Sequence, residues 1–407
     1  MTDLQPYQTS SPIYDHVLAM LRSALWGEER FPYQIPRDVE LGDIIQELKN
    51  QTVQFLVVDL LIRENPGKAD SYLAASAQSA IRWYSILDLQ QEICQQLSDE
   101  GIACVVVKGA AAALYYPQPN GRLIGDIDLL VKPEDFEKAC QIVAQGADFL
   151  CQNERHTEYR RDGITVEVHR SFSTLPDPRK KELSDRRIFG AIDAAEILSL
   201  EDYSFPGLPP VEHGLVLLEH ISIHLEEGLG LRQILDWMVF ADKVLDHRFW
   251  QDEFAPLLWE VGLETLAITV TRMCQMYLGL RTDITWCLGA DETLCRQLME
   301  HVLKQGNFGR KLQDGANRAV SVLGSLKDLG AFFGILQARG CDNWKALERF
   351  PILKPFAWLY QLIRYIVRGL GTKDPIGFLR DVTERAKTQD DFLEALGVRR
   401  MAEEMKK

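Results

Sequence analysis

Gly125-Asp126-Ile127-Asp128-Leu129-Leu130-Val131 is the stretch that decides how the rest of the chain is read. In an extended strand successive side chains point to opposite faces, so Asp126 and Asp128 share one face while Ile127 and Leu129 take the other. Two carboxylates aimed at one point repel, and each raises the other's pKa unless a positive charge lies between them. A hard cation with oxygen ligands, Mg²⁺ or Mn²⁺, suits such a pair. The competing reading is a solvated strand end, and the flanking sequence separates the two.

Upstream, Ala103-Cys104-Val105-Val106-Val107 reads as a buried strand, Lys108-Gly109 as its exit, and Ala110 to Tyr116 as a helix. A glycine at such a turn lets backbone N–H groups approach phosphates. Arg122, in the turn-like Asn120-Gly121-Arg122-Leu123, precedes Asp126 by four residues and is open to pairing with a triphosphate or with Asp126 itself. Downstream, Pro133 to Phe136 starts a helix that buries Phe136, Ala139, Cys140 and Val143. Ile164-Thr165-Val166-Glu167-Val168-His169 then alternates, with Val166 and Val168 on one face and Glu167 and His169 on the other. That strand supplies a third carboxylate. His169 is read as a proton carrier or as a structural histidine bonded to backbone.

This order of parts resembles the DNA polymerase β-like nucleotidyltransferase superfamily, and more closely its uncharacterised bacterial "nucleotidyltransferase family protein" group. The likeness is carried by Val107 to Ala110, Leu114-Tyr115, Arg122, Asp126 to Val131, Val166 to His169, and the later His220, His224, Arg232 and Asp236. It covers roughly residues 100 to 240. The resemblance implies an α+β fold with a polymerase β-like core and a small mixed sheet over 101–208, and the helical pattern of the ends adds an N-terminal helical region over 1–100 and a C-terminal helical domain over 209–407. It also implies Mg²⁺- or Mn²⁺-dependent transfer of an NMP group from a nucleoside triphosphate to a hydroxyl of a small molecule or protein, with release of pyrophosphate. Asp126, Asp128 and Glu167 become the metal-holding catalytic acids, and Lys108, Gly109, Arg122, His220, His224 and Arg232 the nucleotide contacts. His169 and Asp236 support them. Three features depart from the superfamily pattern: its serine after the glycine is Ala110 here, the gap from Gly109 to Asp126 is longer than in the simplest members, and the third acid, more often Asp, is Glu167. These departures leave open a nucleotide-binding regulatory module with weak or no turnover. A kinase-like transfer by the same metal site is a further alternative.

The chain of 407 residues is 46% apolar and 26% charged, ordinary for a globular protein of two or three domains. Its eight cysteines (Cys94, Cys104, Cys140, Cys151, Cys274, Cys287, Cys295, Cys341) form no Cys-x-x-Cys pair, so reduced thiols and a cytoplasmic location are expected. Met1 to Gln5 opens no basic-then-apolar pattern, so no signal peptide is expected. Phe55 to Ile62 is interrupted by Asp59 and falls short of the ~20 residues of a membrane span, so no membrane insertion is expected. A formal charge of −14 makes nucleic acid an unlikely partner, because that grip relies on Lys and Arg.

Pro12 to Trp26 reads as a helix, and Ser71 to Leu97 as a long amphipathic one with Ile81, Ile86, Leu89 and Ile93 on its apolar face. Pro176 to Lys181 and Pro209-Pro210 mark the passage into helices. His220 and His224 lie one turn apart on one helix face, a spacing that suits zinc, although Ile221 follows His220 where the protease motif requires Glu. Asp236 stands in an apolar run and needs a partner, Arg232 or a histidine of the preceding helix. The alternatives are a packing network between two helices or a set of nucleotide contacts held by Asp236. Gly306-Asn307-Phe308-Gly309, lacking a preceding strand, is read as a helix break. Pro351 to Lys373 is basic and aromatic without an acid, a core-facing helix with snorkelling cations or a membrane- or RNA-facing one.

Overall fold

β-Branched runs and period-two alternation place the strands, and the computed structural model describes residues 6–34, 39–311, 336–337, 340–341, 344, 351–370 and 388–398. The chain divides into two compact units, Met1–Lys311 and Leu312–Lys407. The boundaries expected at 100 and 208 fall inside the first unit, and the expected third region, 209–407, runs across the division. In the second unit the described part of the basic aromatic stretch is a short turn, Pro351–Phe356, followed by the helix Ala357–Leu370. Residues 371–373 of that stretch lie outside the described residues.

The first unit begins with helices α1 (Pro12–Trp26), α2 (Leu41–Asn50), α3 (Val58–Glu64) and α4 (Ala69–Asp99). It continues through β1 (Cys104–Val107), α5 (Gly109–Ala113), β2 (Asp126–Val131), α6 (Phe136–Val143), β3 (Asp148–Gln152), β4 (His156–Arg161) and β5 (Ile164–His169). Then come α7 (Pro178–Gly190), β6 (Glu196–Leu200) and β7 (Tyr203–Gly207). Helices α8 (Pro210–Glu227), α9 (Leu231–Val244), α10 (His247–Phe249), α11 (Ala255–Val261), α12 (Glu264–Leu278) and α13 (Glu292–Gln305) complete it.

The strands form a seven-stranded mixed sheet in the order β3-β4-β5-β2-β1-β7-β6. β2 lies antiparallel to β1 and parallel to β5, so the acidic strand is central. Its apolar residues Ile127, Leu129 and Val131 join Ile164, Val166 and Val168 of β5 under α4 and α6, against Trp83, Ile86, Ile93, Phe136 and Val143. One face of the sheet is thereby closed by core. The period of two then forces Asp126, Asp128 and Glu167 to the other face.

Ile81, expected on the buried stripe of α4, is instead 68% exposed. The reason is length: at 31 residues α4 runs ~46 Å. Its buried residues begin only at Trp83, so the first half of the helix outruns the core it covers. Phe55 to Ile62 forms a 3₁₀ turn and the start of α3. Among the described residues no helix is long and apolar enough to cross a membrane. All eight cysteines are free thiols.

The terminal helices of this unit are stitched together. Arg22 donates to the Tyr277 carbonyl and Trp26 Nε1 to that of Leu278, each at 2.6 Å, so α1 is pinned to the end of α12. Gln51 Oε1, just beyond α2, accepts from the backbone N–H of Leu231 at 2.9 Å, at the start of α9. Within α8, Gly214 sits where an added Cβ would lie 2.7 Å from Phe240 Cε1 and 2.8 Å from Phe254 Cζ. Gly214→Ala is therefore expected to destabilise the fold by about 1–2 kcal/mol, overpacking outweighing the gain in helix propensity. Denaturant unfolding of the two proteins checks this, and an unchanged or raised midpoint would contradict it.

Candidate functional site

Val107, the last residue of β1, pairs with Asp128, so the chain leaves the sheet beside that carboxylate. Lys108 makes the exit at φ 56° and ψ −130°, a conformation unfavourable for a side chain with a Cβ. Its ammonium reaches Asp128 Oδ1 at 2.6 Å and lies 5.5 Å from the Phe172 ring centroid. On the other side, β5 pairs Glu167 with Asp128 and Thr165 with Asp126. His169 Nε2 stands 3.0 Å from Asp128 Oδ1 and 3.1 Å from Glu167 Oε2. The histidine thus binds carboxylates, not backbone.

Charge balance separates the two aspartates. Burial would raise the pKa of Asp128, which is 2% exposed, but Lys108 and His169 overcome it and hold the group well below the usual carboxylate range. Burial works against the charge of Lys108 and His169 too, and the carboxylates more than compensate and raise both. Asp126 has no such contact. Burial, reinforced by Asp128 and Glu167, pushes it up to about 6 against the opposing pull of Lys108 and Arg232.

A second wall comes from α5, α8 and α9. Asp236 is the expected buried acid, but its partner is Arg122, not Arg232: Arg122 Nε and Nη2 donate to Asp236 Oδ1 and Oδ2 at 3.0 and 2.6 Å, and the Tyr116 hydroxyl donates to Oδ1 at 2.8 Å. Arg122 was expected to meet Asp126 or a triphosphate, and the fork geometry of Asp236 takes its guanidinium first. Arg232 is thereby left with a 3.5 Å contact to the Leu123 carbonyl and an enclosed Nε that makes no hydrogen bond. Burial and the nearby Arg122 lower its pKa to about 10. His220 and His224 stack edge to face at 4.7 Å. Burial, with the cations Lys108 and Arg232 nearby, takes His224 down to about 4 and His220 well below its ordinary value. Both are neutral at pH 7. This wall carries the charges of Lys108 and Arg232 beside two neutral histidine rings.

Among the described residues one group of three potential ligands has donor atoms within 4.8 Å of one another, His156, Glu167 and His169. Among the described residues no third ligand lies with His220 and His224. His156 is tied to Glu158 at 2.9 Å and Asn153 at 3.1 Å. The oxygens of Asp126, Asp128 and Glu167 form no such group among the described residues, but three carboxylates on one sheet face are oxygen donors of the kind a hard divalent ion takes, and a cation beside Asp126 would offset part of what burial and the neighbouring acids Asp128 and Glu167 impose on it. Sequence reasoning missed Tyr116, His156, Phe172 and Phe308. The first three lie beside motif residues, but only the fold shows which way each points.

A mixed sheet that offers two acids from one strand and a third from its parallel neighbour, facing a cationic helical wall, defines a nucleotidyltransferase-like protein. A family model described as uncharacterised nucleotidyltransferase matches residues 39–279, and the chain belongs to that family. One solved structure, an antigenic nucleotidyltransferase-like protein from Paracoccidioides brasiliensis, is similar at 15% identity, with a TM-score of 0.31, over 48% of this chain and 93% of its own. A search of curated proteins gives no match.

Two outcomes follow from these contacts. Asp126 titrates near 6 in the folded chain against 3.8 for a free group, so its contribution to stability is complete below 3.8 and lost as pH rises through 6. Asp126→Asn should melt above wild type at pH 7.5 and the gap should close at pH 4. A gap independent of pH would refute the assignment. Asp236→Ala strands the buried Arg122 and should cost about 3–5 kcal/mol in denaturant unfolding, with much of it recovered in Arg122→Met/Asp236→Leu.

Proposed function

We propose that the chain moves an NMP group from a nucleoside triphosphate to a hydroxyl of a small molecule or protein. The observation that carries this reading is the opposition of two surfaces: the acids Asp126, Asp128 and Glu167 on one sheet face, and Lys108 with Arg232 at the helical wall. Asp126, Asp128 and Glu167 would hold Mg²⁺ or Mn²⁺, which supplies neutralisation of charge building on the phosphates. Lys108, bonded to Asp128 and next to the Gly109 backbone, is placed to contact a phosphate oxygen, as is Arg232. His220 and His224, neutral, would donate hydrogen bonds to the same anion. Arg122 and Asp236 fix the wall in place. Where Glu167 does not hold a second ion it accepts the proton of the attacking hydroxyl, whose oxygen forms a bond to the α-phosphorus while the bond to the β-phosphate oxygen breaks and pyrophosphate leaves.

Ala110 is buried, so the serine hydroxyl of the superfamily has no equivalent at that point. Lys108 substitutes a charge for it. The same feature favours the second reading, a nucleotide-binding module with little turnover. A net charge of −14 favours a small molecule or protein over nucleic acid as acceptor.

The test uses each NTP labelled at the α- or γ-phosphate, Mg²⁺ or Mn²⁺, and fractionated small molecules and proteins. Label from the α-position should reach an acceptor, and Asp126→Asn/Asp128→Asn should lower the rate at least about 10²- to 10³-fold. Transfer of γ-label would make the protein kinase-like, and binding without transfer would make it a regulatory module. Undiminished transfer by the double variant would remove the site.

A further inference from the structure

The turn after α13 is built around an unfavourable residue. Phe308 holds φ 53° and ψ 35°, a left-handed conformation in which a Cβ is disfavoured, and its side chain is 54% exposed. Glycine would serve the turn better, and a buried aromatic would serve the core better. The surroundings nevertheless fix the turn from three sides. Asn307 is fully buried, donates to Thr52 Oγ1 at 2.8 Å and accepts from Gln233 Nε2 at 2.8 Å. The Phe308 backbone N–H donates to the Gly228 carbonyl at 2.9 Å. Gly228, at φ 122°, approaches so closely that an added Cβ would lie 1.9 Å from the Gly309 nitrogen. Strain of this sort persists where surrounding contacts over-determine it, and such positions cluster at ligand sites.

What the turn presents is a ring at the cationic wall. The His224 ring meets Phe308 edge-on, 5.0 Å away at 81°, and the Arg232 guanidinium lies 5.4 Å from the ring centroid. Arg232 also feels Asp126, and His224 feels both Lys108 and Asp128. The exposed ring thus sits against two side chains, His224 and Arg232, that lie within electrostatic reach of the acidic strand, and the Arg232 Nε is enclosed without a hydrogen bond.

We propose that Phe308 is the platform on which the planar heteroaromatic base of the nucleotide stacks, Arg232 bridging from that base to the phosphates. The inference rests on the reading of this site as a nucleoside triphosphate site and adds the part of the ligand that the acids and cations do not address. A hydrocarbon ring makes no hydrogen bonds to base edges, so discrimination among bases at this contact is weak.

Calorimetric titration of the full chain with ATP and, separately, with inorganic tripolyphosphate, both with Mg²⁺, tests the assignment. Phe308→Gly removes the ring and relieves the backbone, so it should bind ATP about tenfold or more weakly, bind tripolyphosphate as wild type does, and melt no lower than wild type. Phe308→Tyr keeps a stacking face and should bind ATP within a few-fold of wild type. The platform is overturned if Phe308→Gly binds ATP like wild type, or if it loses ATP and tripolyphosphate equally. Wild type that binds tripolyphosphate as tightly as ATP refutes the base subsite alone. Wild type that binds neither refutes the nucleotide reading as well.

Discussion

Asp128 is the group around which the site is organised: a carboxylate on the central strand, almost without exposure, kept ionised by Lys108 and His169. Isolated burial of such a charge is costly, and pairing makes it tolerable. The pairing also dictates geometry. Lys108 must leave β1 in a strained conformation to reach it, and β5 must lie parallel to β2 in the register that sets Glu167 opposite. With Asp128 paired to both Lys108 and His169, Asp126 is left as the acid without such a contact. That asymmetry makes one carboxylate a fixture and its neighbour responsive to pH and to added cations.

A second buried pair governs the opposing wall. By engaging both oxygens of Asp236, Arg122 joins the loop before β2 to α9, and Tyr116 adds the end of the segment after α5. Its consequence is indirect, for Arg232 loses the partner that stands one helical turn away in sequence. Among the described residues Arg232 has no carboxylate at ion-pair distance, which leaves its positive charge at the wall beside neutral histidines. Contacts between α1 and α12, and between the end of α2 and the start of α9, tie the first helices of this unit to its last ones.

The three adjacent strands that carry the acids and the lysine, β1, β2 and β5, were legible in the sequence, since alternation in Asp126 to Val131 and Ile164 to His169 fixes which residues share a face, whereas β3, β4, β6 and β7 were not read as strands. The α+β character and the core under α6 follow from the same local periods. Features set by distant packing were not legible. Arg122 and Asp236 are 114 positions apart, and no local rule ranks that pair above Arg232, which sits four residues from Asp236. Ile81 obeys the helical period yet has nothing to pack on. Phe308 occupies a stretch that reads as a helix break and forms one, and its exposed ring at the wall emerges only once Gly228, Gln233 and Thr52 converge on the turn. His169 was open between a proton carrier and a backbone-bonded residue, and the nearness of two carboxylates could be seen only after β5 was placed beside β2.

The central claim is that the acids of β2 and β5 hold a divalent ion against phosphates gripped by Lys108 and Arg232. Anomalous diffraction from crystals grown with Mn²⁺ and a non-hydrolysable nucleoside triphosphate measures this directly. The account predicts a manganese peak at about 2.0–2.2 Å from carboxylate oxygens of Asp126 and Asp128, with phosphate oxygens on the Lys108 and Arg232 side. Manganese bound by His156 and His169 without either aspartate, or a nucleotide seated away from β2, would contradict it.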